Sequence, residues 1–463
     1  MASTYLTRAF SSSTTTTKAT LSFWVKFSAI NTGVSNTGSM LFQARDSSSS
    51  NNYRTFIRYE ENATLDFMVY NSSGSLVGEY YSKRKFRDCN AWYHICYSID
   101  TTLSTASDRL KFYVNGVRDT EFDTSNYTAL GQNDLVKTTS SVFTDISRNG
   151  GSAGYYFNGV LSHYILTDGY VYQADTFGST DSTTGEWKIN TSPSVNYGTN
   201  GFWILKDGNS VTDSSPNSNN FTVGAGTLTK TEDCPSNVFA TMNPLDNYWQ
   251  GSTFSNGNNT IVTGSSSTTF NTSTLLMTSG KYYVEVKPTV GSATLNIGVT
   301  GEQAVNASQT LASRGTGYAY VDSGSVFNNG SSVGGTWSTY TNNDIIGIAI
   351  NLDDEQGGLN KLYFSKNGVW QNGADPSTPS SVTGVVGITK PSNLISESKM
   401  GAYAFAMNET WNDNTRTVQW NFGNGYFGTT AVSSAGTNAS NNGIFEYDVP
   451  TGFTALSTKG LNT

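Results

Sequence analysis

Two histidines, three cysteines and a scatter of acidic residues are the groups in this 463-residue chain suited to proton transfer, nucleophilic attack or metal ligation. His94 lies in WYHICYSI and His163 in VLSHYIL. Side chains alternate between the two faces of a strand, so Trp92, His94 and Cys96 share one face. The expectation for both histidines is a packed or edge position in a sheet rather than a catalytic base, and no Gly-x-Ser-x-Gly elbow accompanies either. The acidic clusters are Glu60-Glu61 and Asp353-Asp354-Glu355. Adjacent carboxylates on a strand point to opposite faces and do not form the acid and nucleophile pair, about 5–5.5 Å apart, of a retaining glycosidase; both clusters read as solvated turns. Cys89, Cys96 and Cys234 are odd in number and lack metal-ligand spacing, so they read as structural thiols.

Aromatic side chains offer a different chemistry, because the apolar face of a sugar ring packs on Trp or Tyr while Asn, Asp and Gly groups bond its hydroxyls. Trp337 and Tyr340 in GGTWSTYTNND, and Trp411 in NETWNDN, are flanked by polar residues without strand alternation. They are the ligand-binding candidates. Trp24, Trp92, Trp370 and Trp420 sit inside strand patterns and are expected in the core.

The elements that must position these groups are strands. Only 13% of the residues are charged and 13% are aromatic, with Gly, Ser, Thr and Asn abundant, a mixture that disfavours helices and supplies turns. Segments such as Leu21 to Phe27, Thr64 to Tyr70, Trp92 to Ile99, Tyr282 to Val286 and Ile345 to Ile350 recur between turn clusters, as in a sandwich or jelly roll. Asn115-Gly116 and Asn367-Gly368 each lie between β-prone flanks and predict type I′ hairpins. One such hairpin in each half points to two sandwiches in tandem, divided near Asp233 to Leu245 and assigned as 1–235 and 236–463. GFWILK and NFTV, ahead of the boundary, are expected to return to the first sandwich.

A net charge of −8 provides no basic field for nucleic acid. No run of eighteen apolar residues predicts a membrane-spanning helix, and the first residues lack a secretory h-region, so synthesis in a cytoplasm is expected and the N-x-[ST] matches carry little meaning. No heptad pattern is visible.

With the segments placed, the first half resembles the laminin G-like / concanavalin A-like family through LSFWVKF, AWYHICYSID, LKFYVNGV and YFNGVLSHYILTDG. The second half resembles a SPRY domain through SGKYYVEV, NIGVT, NDIIGIAINLDD, KLYFSKNGVWQNG and VQWNFG. The pairing, joined by YGTNGFWILK and PSNVFATMNPLD, resembles virion-associated proteins of marine tailed phages. The resemblance implies an all-β chain of two antiparallel jelly-roll sandwiches that recognises ligands through loops. It implies a virion protein (tail fibre, spike or particle appendage) assembled in the host cytoplasm, with other virion proteins and a host-surface polysaccharide as partners, and a homo-oligomer, commonly a trimer. A decoration or cement protein binding viral neighbours alone is the alternative. Related folds include glycoside hydrolases with a Glu-x-Asp-x-x-Glu strand motif; that motif is absent, so no enzyme is expected and a depolymerase is the least favoured reading. Related lectin domains hold calcium through Asp side chains at loop ends, which makes Asp145 in TDIS and Asp168 in TDG the candidate ligands, with no cofactor required.

Overall fold

The computed structural model describes residues 3–30, 38–46, 53–125, 130–150, 154–206, 210–249, 251–265, 268–302, 309–378, 380–396, 399–410 and 414–461. The chain forms two compact units, 1–230 and 231–463. Among the described residues the one α-helix is the four-residue Thr458–Leu461, and strands dominate. The division falls a few residues before the expected one because Glu232 already donates its N–H to Asn424 and Asp233 accepts from the Phe239 N–H, both in the second unit.

In the first unit the alternation along Lys18–Phe27 sends Leu21, Phe23, Val25 and Phe27 into the core and leaves Ser22, Trp24 and Lys26 on the other face. This strand pairs with Tyr93–Asp100 and Gly159–Asp168 inside a six-stranded antiparallel sheet. An eight-stranded sheet lies across the core from it. Its spatial order is Phe122–Ser125, Leu76–Ser82, Leu65–Tyr70, Arg54–Tyr59, Ser39–Arg45, Phe143–Ile146, Tyr5–Arg8 and Thr222–Ala225. Both sheets supply the one core, Phe23, Ile95 and Phe112 from one side and Ile57, Phe67 and Tyr80 from the other. The expected return segments do return: Phe202–Ile204 pairs with Gly159–Asp168, and Thr222–Ala225 pairs with Tyr5–Arg8.

The outer face of the six-stranded sheet is covered by the chain itself. Tyr172, Ala174, Phe177, Trp187, Val195 and Tyr197 pack on Cys96, Tyr113, Ile165 and Trp203. Gly116 makes this cover fit. It follows Asn115 in the two-residue turn that joins Val114 to Val117, with φ of 49° and 78° as a type I′ turn requires, and a Cβ there would stand 2.3 Å from the Trp187 ring.

The second unit packs a seven-stranded sheet against a nine-stranded one around Val284, Ile297, Ile348, Phe364, Phe405 and Trp420. Asn367 and Gly368 form the second type I′ turn, with φ of 50° and 78°. Phe445, Val449 and Phe453 from the C-terminal segment cover Tyr283, Ala349 and Tyr363 on the outer face of the nine-stranded sheet. Glu285 fastens that segment. Its carboxylate is fully buried and accepts from the Glu446 N–H at 2.9 Å, the Tyr447 N–H at 2.8 Å, the Asn421 amide and the Tyr283 hydroxyl. Burial outweighs these donors and pushes Glu285 up to about 7.

Two outcomes follow from these contacts. Gly116→Ala forces both a strained φ and a collision with Trp187, and is expected to lower the unfolding free energy by about 2–3 kcal/mol. Gly185→Ala, at φ +74° with open space around it, carries the backbone strain alone and costs about 1 kcal/mol; urea unfolding of the two variants separates the terms. Glu285, raised above its unfolded value, keeps its proton longer in the folded state, so its contribution to stability falls as pH rises from about 4.5 to about 7. The stability difference between wild type and Glu285→Gln should therefore shift against wild type across that window by on the order of 3 kcal/mol, read as paired urea titrations at pH 4.5 and 7.5.

Candidate functional site

Both histidines stand beside a serine, the first requirement of a nucleophilic dyad. Ser22 Oγ is 2.9 Å from His94 Nε2, and Ser162 Oγ is 2.8 Å from His163 Nδ1. All four residues are buried. Trp187 Nε1–H donates to His94 Nδ1 at 3.1 Å, so the neutral ring carries its proton on Nε2 and donates to Ser22 rather than accepting from it. Burial lowers His94 to about 3. The ring is stacked between Trp24, at 5.1 Å, and Trp187, at 5.9 Å, and is structural.

Two of the loop aromatics chosen from the sequence are corrected by the structure. Trp337 is 9% exposed and Tyr340 2% exposed, and both belong to the core of the second unit. Trp337 packs against Tyr320 and Phe364 with its Nε1–H on the Gly334 carbonyl at 2.7 Å. The Tyr340 hydroxyl donates to the carbonyls of Leu295 and Tyr320. Their polar flanks mark a loop that folds back over the sandwich, with the rings plugging the core and the polar tips satisfied by backbone. Trp411 lies outside the described residues.

The two candidate calcium ligands are not brought together. Asp145 is on Phe143–Ile146 of the eight-stranded sheet, and Asp168 ends Gly159–Asp168 of the six-stranded one. Asp168 is buried and accepts from the Asn200 N–H at 3.2 Å and the Thr138 hydroxyl at 3.4 Å. Asp145 is buried near the Thr7 hydroxyl and the guanidinium groups of Arg148 and Arg45. No group of three or more His, Cys, Asp or Glu side chains suited to a metal exists among the described residues. A carboxylate held by hydrogen-bond donors and another beside two cations are a poor donor set for a divalent ion, and calcium does not fit these positions.

Chemistry is concentrated instead on the outer face of the eight-stranded sheet. Leu65, Phe67 and Val69 point to the core, so alternation turns Asp66, Met68 and Tyr70 outward. The register then assembles rows across the strands. Arg54 lies opposite Tyr70, Phe56 opposite Met68, and Arg58 opposite Asp66. Asp66 faces Tyr81 and Met68 faces Glu79 on the next strand. On the other side Arg45 pairs with Arg54 and Gln43 with Phe56, and Phe143 and Asp145 continue those two rows.

Guanidinium groups lie on the rings of this face: Arg54 at 3.9 Å from the Tyr70 centroid, Arg45 at 4.1 Å from Phe143, and Arg148 at 4.3 Å from Tyr5. Stacking of this kind holds long side chains flat and in place. Arg54, Arg58, Met68, Tyr70, Glu79 and Tyr81 are half-buried and form the accessible surface. Asp66 beneath them is 1% exposed. Burial first, then the charges of Glu60 and Glu79, push it up to about 8 against the pull of Arg58. Glu60, read from the sequence as a solvated turn, is buried and hydrogen-bonded to Arg58. The sequence signal for this face was present: RTFIRY and LDFMVY place Arg, Phe, Arg and Asp, Met, Tyr at alternate positions. Alternation cannot tell a covered outer face from an open one.

Residues 2–169 match the family model described as the concanavalin A-like lectin/glucanases superfamily. No curated protein matches the chain. Among solved structures the chain is similar to the SPRY domain of human HERC1, at 14% identity over 39% of this chain and 96% of that one, with a TM-score of 0.28. It is also similar to a native heptameric SAP-like pentraxin from Limulus polyphemus, at 14% identity over 48% and 89% of the two chains, with a TM-score of 0.28. A third is domain 4 of AbnA, an extracellular arabinanase from Geobacillus stearothermophilus in complex with arabinotriose, at 19% identity over 35% and 64%, with a TM-score of 0.24.

The burial of Trp337 sets an outcome that separates packing from recognition. Trp337→Ala is expected to lower the stability of the second unit by about 3–5 kcal/mol and to leave the ligand affinity of the folded fraction unchanged, as read by thermal unfolding alongside a binding isotherm.

Proposed function

We propose that this chain is a virion structural protein of a tailed phage, a fibre, spike or appendage, that binds host-surface glycan without cleaving it. The observation that carries the binding half is the outer face of the eight-stranded sheet, where ordered aromatic rings, guanidinium groups and carboxyls lie side by side. A sugar ring needs a flat apolar platform with polar groups at its edge; Tyr81, beside Glu79 on its own strand and opposite Asp66, offers one, and Tyr70, overlain by Arg54, offers a second contact four residues along the neighbouring strand. The match of residues 2–169 to a lectin and glucanase superfamily supports the same reading. The virion half rests on the resemblance of the paired domains to virion proteins. Recognition thus moves from the loops named by sequence to a sheet face. A shallow face binds weakly, and display in several copies raises avidity by about 10²–10⁴ where the sites engage together.

Hydrolysis has one observation in its favour: Asp66, held protonated to about 8, with Glu79 diagonally across the strand pair. A carboxylic acid that keeps its proton near a second carboxyl group is the pattern of a glycosidase acid and its partner. Against it, Asp66 is sealed beneath the face and cannot reach a glycosidic oxygen. Asp145, three strands away at roughly 4.8 Å per strand, lies beyond the 6.5–9.5 Å that an inverting pair spans (about these values in general).

Purified protein should adsorb saturably to host cells or their polysaccharide, and Tyr70→Ala with Tyr81→Ala should weaken it about tenfold, while immunogold on intact particles places the chain on the appendage. New reducing ends appearing in the polysaccharide, and lost with Asp66→Asn, would replace this reading with the hydrolytic one.

A further inference from the structure

We infer that the glycan taken by this face carries an anionic substituent, a carboxylate or a sulfate ester, seated at the half-buried Arg54 and Arg148 over the buried charge of Arg45; this deepens the glycan-binding reading and rests on it. The protein as a whole is acidic, at −8. Yet at the end of the sheet where Arg45 and Arg54 stand directly opposite one another, two guanidinium groups face each other across neighbouring strands. Like charges in that position are destabilising.

Among the described residues few groups offset them. Arg45 is 2% exposed; its Nη2 donates to the Gly150 carbonyl at 2.8 Å, and its Nε, like those of Arg54 and Arg148, has no hydrogen-bond partner among the described residues. Burial lowers the Arg45 pKa from its ordinary value; Asp145 opposes the shift, and the like charges of Arg148 and Arg54 add to it. Burial raises the pKa of Asp145, and the Thr7 hydroxyl and the charges of Arg148 and Arg45 oppose that shift, so one carboxylate faces three guanidinium groups.

The three guanidinium groups are also pre-positioned. Arg54 lies on Tyr70, Arg45 on Phe143 and Arg148 on Tyr5, so each plane is fixed by a ring. A guanidinium fork matches a carboxylate or sulfate bidentately, with two parallel N–H···O bonds. Tyr70 belongs both to this cluster and to the sugar platform, which places the anionic group next to the stacked ring. A neutral glycan would leave the repulsion as it is.

The test uses the full chain and four oligosaccharide preparations in calorimetric or NMR titrations: an oligouronate, its carboxyl-reduced form, a sulfated galactan oligomer and its desulfated form. The expected result is that at least one charged oligomer binds about tenfold or more tightly than its neutral counterpart. That preference should weaken as NaCl rises from 50 to 500 mM, and the member of the pair that binds identifies carboxylate or sulfate. Arg54→Gln should remove the preference, and Arg54→Lys, which keeps the charge and loses the fork, should fall between. Arg118→Gln, a change of equal charge at an exposed residue of the other sheet, should leave it intact. Equal binding of charged and neutral oligomers, or equal losses in the Arg54→Gln and Arg118→Gln proteins, overturns the anionic inference and leaves the glycan face standing. Binding of none of the four overturns both.

Discussion

A sandwich buries one face of each of its sheets, and every outer face must then be covered by further chain or surfaced with groups that tolerate water. This constraint organises the protein. In the first unit the six-stranded sheet is covered by residues 172–197, whose rings pack on Cys96, Tyr113, Ile165 and Trp203. In the second unit the C-terminal segment covers the nine-stranded sheet. The eight-stranded sheet follows the other route: its outward positions carry Arg, Tyr, Glu and Met, with the charged groups laid flat on rings.

Those two solutions use ionisable groups in opposite ways. Glu285 is fully buried and meets four donors, which offset part of its desolvation and order Glu446 and Tyr447 against the sheet. On the eight-stranded sheet, Asp66 Oδ1 and Arg45 Nε are buried with no hydrogen-bond partner among the described residues. Unsatisfied buried polar atoms are few in folded proteins and call for an explanation.

The histidines show how the same residue types give chemistry or structure according to surroundings. Each is within hydrogen-bond reach of a serine, but His94 is locked between two tryptophans in the tautomer that donates to Ser22. Its third neighbour is an indole N–H, where a hydrolase places a carboxylate. The pair therefore fixes the cover over the six-stranded sheet rather than a reacting group.

Much of the fold was legible in the chain before any coordinates. Alternation located the strands from Leu21 to Phe27 and from Tyr282 to Val286, and the two Asn-Gly turns adopt the positive φ values that their type requires, because both signals depend on local sterics and side-chain direction. GFWILK and NFTV could be assigned to the first sandwich on their order in the chain. The site could not be assigned that way. Whether a polar-flanked Trp or Tyr reaches solvent depends on where its loop folds, and the loop of Trp337 and Tyr340 folds inward. Whether Arg45 meets Arg54, or Asp66 meets Tyr81, depends on strand register and on which outer face stays open. Those are long-range pairings between segments whose local patterns are alike, and tertiary structure alone decides them.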